Sequence, residues 1–179
     1  MHVGKVTGVE SFVPRKQAGR RDEIIEIEES VVIHRPVREV FAFLADIENR
    51  AKLQLALRDS KKASPGPVKV GDTFLQTLEI PGQLIELLCR VTRLENDERV
   101  SLEYSWDQLL LWIDFVFEPL DGGTKLTSRG EGRIDGLLAL FEAPVNSEIE
   151  AQLRTTLGNL KLHLESQAAE DKSYPSREL

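Results

Sequence analysis

The sequence predicts an α+β domain in which a curved antiparallel sheet of about seven strands wraps around one long C-terminal helix. Three observations carry this. Turn signals recur at hairpin spacing, at Pro81-Gly82, Asn96-Asp97, Asp107-Gln108 and Asp121-Gly122-Gly123. The segments between them are rich in Val, Ile, Phe, Trp and Leu, as strands of a meander require. Beyond the last strand, Val145, Ile149, Leu153, Thr156, Leu157, Leu160 and Leu164 form one stripe of an amphipathic helix running through about Gln167. A meander with one apolar face needs a cover, and this helix is the long one available.

The elements follow in order. Residues 1–22 show no sustained period and read as a flexible arm carrying the basic cluster Arg15, Lys16, Arg20 and Arg21. The domain proper spans 23–166, and 167–179 is a polar tail. Its first strand, Ile24 to His34, sets Ile25, Ile27, Val31 and Ile33 against Glu26, Glu28, Ser30 and His34, with Glu29 and Val32 breaking the alternation. Arg35-Pro36 ends the strand, because the residue before proline is held extended and proline suits the start of a helix. Val37, Val40, Phe41 and Leu44 mark a short helix, and Ile47 to Leu53 a second.

Ala56–Ala63 follows as a strand and Ser64-Pro65-Gly66-Pro67 as a loop. The meander continues through Thr73–Ile80, Leu84–Leu94, Val100–Trp106, Leu109–Leu120 and Thr124–Arg133. Pro144 is expected to kink or restart the C-terminal helix, leaving Leu137 to Glu142 as a separate turn at an entrance.

Composition bounds the function. The chain has 179 residues, 41% hydrophobic and 30% charged, which suits one globular domain able to hold a core and a cavity. A formal charge of −7 argues against a nucleic-acid partner, which requires a basic face, and leaves only the local cluster Arg15, Lys16, Arg20 and Arg21 as a basic patch. No apolar run approaches the ~18 residues that span a bilayer, so stable membrane insertion is not expected. The N-terminus lacks the apolar core of a signal peptide, and the one cysteine, Cys89, suits a reducing compartment. The expected location is cytoplasmic.

Alternation assigns the faces of the strands. One face collects Ile85, Leu87, Cys89 and Val91, then Val100, Leu102, Tyr104 and Trp106, then Ile113, Phe115 and Phe117. On the last strand Lys125, Thr127, Arg129, Glu131 and Arg133 form the wet side, leaving Leu126, Ser128, Gly130 and Gly132 inward. These small residues either withdraw volume to leave a cavity or mark bulges where the strand bends. The outer face carries Leu84, Leu88, Leu110, Trp112 and Val116 beside Glu86, Arg90, Asp114 and Glu118. That much apolar surface implies a cover: the N-terminal arm, a partner, or a homodimer through Leu88, Leu110 and Trp112.

The order of elements resembles the helix-grip fold of the START-like, polyketide-cyclase/dehydrase superfamily, often called SRPBCC. The likeness rests on Val31-Val32-Ile33-His34-Arg35-Pro36-Val37-Arg38-Glu39-Val40-Phe41, Val70-Gly71-Asp72-Thr73, Asp121-Gly122-Gly123-Thr124-Lys125-Leu126 and Leu157-Gly158-Asn159-Leu160-Lys161-Leu162-His163-Leu164-Glu165. It covers roughly residues 24–166. The resemblance implies binding of lipids, sterols, quinones or polyketides between sheet and helix, with cyclase activity in some members.

Searched for chemistry, the chain is sparse. His2, His34 and His163 show no metal-ligand spacing, so neither a metal nor another cofactor is expected. No catalytic residue stands out, although Tyr104 is placed to polarise a carbonyl if the chain is a cofactor-independent cyclase or dehydratase. The expected ligand-binding set is Gln76, Leu78, Cys89, Tyr104, Trp106, Ile113, Phe115, Ser128, Gly130, Phe141, Ile149, Leu153 and Thr156. The leading reading is a carrier or sensor of a small apolar molecule. The alternatives are that cyclase-type enzyme and a protein-interaction module using the outer sheet face.

Overall fold

A computed structural model describes residues 24–80, 83–107, 109–134 and 142–173. The expected arm at 1–22, the Pro81-Gly82 turn and the 137–141 segment with Phe141 lie outside the described residues. Strand β1 (Ile24–Ile33) leads into helix α1 (Val37–Ala45) and a 3-10 helix (Ile47–Lys52). Six strands follow: β2 (Leu57–Lys62), β3 (Thr73–Ile80), β4 (Gln83–Glu95), β5 (Arg99–Trp106), β6 (Leu109–Leu120) and β7 (Gly123–Ile134). Helix α2 (Glu142–Ser173) closes the fold. The sheet has seven strands in the order β1-β7-β6-β5-β4-β3-β2, every neighbouring pair antiparallel. This is the helix-grip architecture.

Local chemistry sets the turns. Asp97 and Asp107 adopt positive φ at the β4–β5 and β5–β6 turns, a conformation that Asp tolerates better than most residues. Gly123 starts β7 where a Cβ would sit 2.5 Å from the Ile33 carbonyl oxygen, so only glycine lets β7 run so close to β1. Asp72 follows Gly71, and its carboxylate accepts from the Lys69 amide at 2.9 Å and pairs with the half-buried Lys62 ammonium at 2.7 Å. This ties the β2–β3 loop to β2.

Directly opposed residues in an antiparallel pair share a face. Phe74, Cys89, Tyr104 and Leu111 therefore form one inward row across β3 to β6, and Val100 pairs with Phe115 in another. These residues, with Val40, Phe41 and Leu44 of α1 and Leu157, Leu160 and Leu164 of α2, make one core. Phe41 meets Phe117 edge-on at 5.4 Å between ring centres, which seats α1 on the end of the sheet.

Register explains the break in the β1 alternation. Glu29 pairs with Ser128 on the inner face, where Arg154 of α2 reaches it, Nε to Oε1, at 3.0 Å. An inward acid is thus matched by a cation from the covering helix. At the other end of β1 the Glu165 carboxylate accepts from the His34 amide at 2.8 Å and contacts its Nδ1 at 2.9 Å. The Lys161 ammonium donates to the Val32 carbonyl at 2.8 Å.

Three expectations are corrected. Pro144 does not divide the helix: α2 begins at Glu142, which puts the proline in a first turn whose amides need no intrahelical partner. Helix α2 also runs past Gln167 to Ser173, through Ala168, Ala169, Glu170 and Lys172, all good helix formers. Thr127, assigned to the wet side of β7, is buried, because β7 is internal and Ser30 and Val116 flank it. On the outer face Leu75, Leu84 and Leu88 are exposed, whereas Leu110 and Trp112 are half-buried. The Trp112 indole donates to Glu103 at 3.1 Å.

Candidate functional site

Between the sheet and the first half of α2 lies a cavity of about 240 Å³. The sheet contributes Gln76, Leu78, Leu87, Tyr104, Leu109, Leu111 and Ile113, and α2 contributes Glu148, Ile149, Gln152, Leu153 and Thr156. The 3-10 helix and the residues after it supply Arg50, Gln54 and Ala56. Most of the surface of this wall is apolar, although polar and charged side chains are set among the aliphatic ones. Two larger hollows, one lined by Glu26, Glu28, Asp114, Arg129 and Glu131 and the other by Asp46, Glu48 and Lys62, are edged with charged groups. An apolar molecule gains least there.

The polar groups of the cavity differ in how they are employed. Gln76 is fully buried and donates to Ser60 Oγ at 3.0 Å, and Ser60 in turn donates to the Ile47 carbonyl at 3.4 Å. Thr156 caps back onto the Gln152 carbonyl at 2.7 Å, and Gln152 donates to Glu148 at 3.0 Å. Arg50 and Tyr104 are not so engaged. Arg50 is 4% exposed, and its Nε and Nη1 have no hydrogen-bond partner among the described residues. The Tyr104 hydroxyl is buried without a partner of good geometry; the Cys89 thiol across the strand pair is a weak hydrogen-bonding group.

Arg50 is held there by packing. Its guanidinium carbon lies 5.5 Å from the centre of the Tyr104 ring and 5.3 Å from that of Phe115, both within cation–π range. Its carbonyl accepts from the Leu53 and Gln54 amides at 3.0 and 3.1 Å. Asn159 of α2 donates to the Leu53 carbonyl at 2.7 Å, locking this turn to the helix. The field of the guanidinium reaches its neighbours. Burial pushes the Tyr104 hydroxyl well above the ordinary phenol range, and Arg50 pulls it back down. Burial likewise pushes the Cys89 thiol up to about 11, again against Arg50.

Of the residues expected from sequence to bind a ligand, the structure brings together Gln76, Leu78, Tyr104, Ile113, Ile149, Leu153 and Thr156 around the cavity. Cys89, Phe115 and Ser128 pack in the surrounding core, and Trp106 sits half-buried at the end of β5. Gly130 does not open space, because Ile27 lies over it; an added Cβ would meet Ile27 Cγ1 at 2.6 Å. Sequence reasoning missed Leu87, Leu109 and Leu111 as lining residues, and above all Arg50. The signal was present: Ile47, Arg50 and Leu53 recur every third residue, and a 3-10 helix with three residues per turn stacks such positions on one face.

The family model described as polyketide cyclase / dehydrase and lipid transport matches residues 25–165. The chain belongs to this family. Solved helix-grip structures agree on the fold. The di-domain ARO/CYC StfQ of the steffimycin biosynthetic pathway aligns with a TM-score of 0.71 at 15% identity, over 84% of this chain. This chain spans about half of StfQ, 53% of its length. A protein of Thermus thermophilus gives a TM-score of 0.68 at 12% identity, covering 79% of this chain and 98% of its own. Ara h 8.0201 gives 0.59 at 16% identity, covering 76% and 97% respectively. No curated protein matches the sequence. Among the described residues of this family member, no helix is long and apolar enough to cross a membrane.

Proposed function

We propose that the cavity between the sheet and α2 binds a small apolar molecule, of lipid, quinone or polyketide type, and that the protein is its carrier or sensor. The observation that carries this reading is an aliphatic hollow of about 240 Å³ under the covering helix, edged by two buried polar groups that no protein atom satisfies among the described residues. Apolar walls supply affinity through area, and one or two such groups supply orientation. The family's description, which joins cyclase, dehydrase and lipid transport, supports the same class of molecule.

The neutral dye N-phenyl-1-naphthylamine, which brightens on leaving water, tests this directly. It should titrate the wild-type protein with a single saturable site. Ile149→Trp, which fills the hollow from α2, should abolish that site while the far-UV circular dichroism stays unchanged. Dye binding that is equally strong in Ile149→Trp would place the site elsewhere and contradict the reading.

A catalytic reading has one observation in its favour. Tyr104 lines the cavity with the Arg50 guanidinium over its ring and its hydroxyl buried without a partner, an arrangement able to stabilise negative charge on a bound carbonyl oxygen. Turnover would then fall in Tyr104→Phe with ligand binding retained.

A further inference from the structure

We propose that the ligand of this cavity is an amphipathic acid: an apolar body bearing one anionic oxygen group, a carboxylate or an acidic enol, seated on the Arg50 guanidinium. The inference rests on the cavity-binding reading above and specifies the chemistry of what is bound.

Arginine stays charged in any protein environment, and a buried charge without a counter-ion is costly. Here the cation is 4% exposed, and no carboxylate is paired with it among the described residues. The one acid lining the cavity, Glu148, is solvent-exposed on the rim and accepts from Gln152. The rings of Tyr104 and Phe115 offset part of the cost, but a ring face leaves the in-plane donors Nε and Nη1 unused. Nε and Nη1 lie on different edges of the guanidinium, each edge pairing one of them with Nη2, and such an edge matches two oxygens of a carboxylate or of an enolised dicarbonyl. The Tyr104 hydroxyl, on the ring that lies under the Arg50 guanidinium, is a further buried group without a partner.

The arrangement is also fixed in advance. The Arg50 backbone is anchored by the Leu53 and Gln54 amides, and that turn is pinned to α2 by Asn159. Preorganised donors around an aliphatic hollow distinguish an acid from the corresponding neutral molecule, because only the acid removes the isolated charge. Cys89 and Tyr104 are buried beside Arg50, and that burial pushes the thiol and the phenol up; in such poorly solvated surroundings a charge pairing counts most.

The test is competition against N-phenyl-1-naphthylamine at about pH 7.5, where a carboxylic acid is ionised, by octanoate and by 1-octanol, which differ only at the head group. Octanoate should displace the dye from wild type at a concentration at least tenfold lower than 1-octanol. In Arg50→Met that preference should vanish while dye and 1-octanol still bind, and the ligand-free variant should melt no lower than wild type. Equal competition by the two in wild type overturns the inference and leaves the apolar-cavity reading standing. So does a preference that survives in Arg50→Met. If dye, octanoate and 1-octanol all fail to bind wild type by calorimetry, the cavity reading itself fails and this inference with it. Should Arg50→Met not fold, Arg50→Lys, which keeps the charge but not the fork, should lower the preference for octanoate; an unchanged preference there overturns the inference.

Discussion

Arg50 sets its guanidinium carbon 5.5 Å from the centre of the Tyr104 ring, and both side chains end in buried polar atoms with no partner among the described residues. One comes from the 3-10 helix after α1 and the other from the middle of β5, so the fold and not the local sequence brings them together. Elsewhere in the wall aliphatic side chains dominate, and the polar side chains Gln76, Gln152 and Thr156 are hydrogen-bonded within the protein. This pair separates the site from a simple packing defect, since a defect would be lined by apolar atoms alone.

The covering helix should hold the fold through its leucine stripe. Leu160 is fully buried, and Leu160→Ala is expected to cost about 2–5 kcal/mol, as for truncations in tight cores. Leu153 already borders the hollow, so Leu153→Ala enlarges an existing space and should cost less than Leu160→Ala. Urea melts of the two variants check the order. Equal losses would mean that α2 packs on the sheet without a cavity beneath it.

Stability should fall in acid at two identified places. Lys62 beside Asp72 holds that carboxyl below the usual carboxylate range, and the His34 amide does the same for Glu165. A group whose pKa is lowered in the folded state contributes stability above its unfolded pKa, and loses it as pH falls through the folded value. Denaturation midpoints should therefore stay level from about pH 7 to 5 and decline below about 4. Asp72→Asn should flatten part of that decline. An undiminished decline in Asp72→Asn would remove the Lys62 pair from the account.

Cys89 should be chemically silent in the native state. It is fully buried on the inner face and its thiol is pushed up to about 11, so near neutral pH almost none is thiolate. Labelling by Ellman's reagent should proceed only at the rate of global or subglobal opening, and should become immediate in concentrated guanidinium chloride. Rapid stoichiometric labelling of the folded protein would contradict the assigned face of β4.

Most of the fold was legible because turn chemistry bounds the strands sharply. Thr73–Ile80 and Leu109–Leu120 were read from sequence with the bounds that the structure shows. Period-two alternation placed Gln76, Tyr104 and Ile113 on the inner face, which is a local property of each strand. What alternation does not encode is depth. Phe115 shares a face with Ile113 yet lies in the closed core, and Ile27 reaches across from β1 to fill the space that Gly130 vacates.

Glu29 breaks the β1 pattern for a reason that lies on another element, Arg154 of α2. Arg50 went unread because a basic residue on a short helix is normally solvated, and only the three-residue repeat of a 3-10 helix turns it inward. The sites that sequence reading misses here are places where distant elements meet.

Methyl-resolved NMR of the protein with octanoate tests the central claim most directly. The account predicts that the methyl signals of Leu78, Leu87, Leu111, Ile113, Ile149 and Leu153, which line the cavity, shift on titration, while those of the exposed Leu75, Leu84 and Leu88 on the outer face stay in place. Shifts confined to Leu75, Leu84 and Leu88 would contradict the account and move the binding surface to the outside of the sheet.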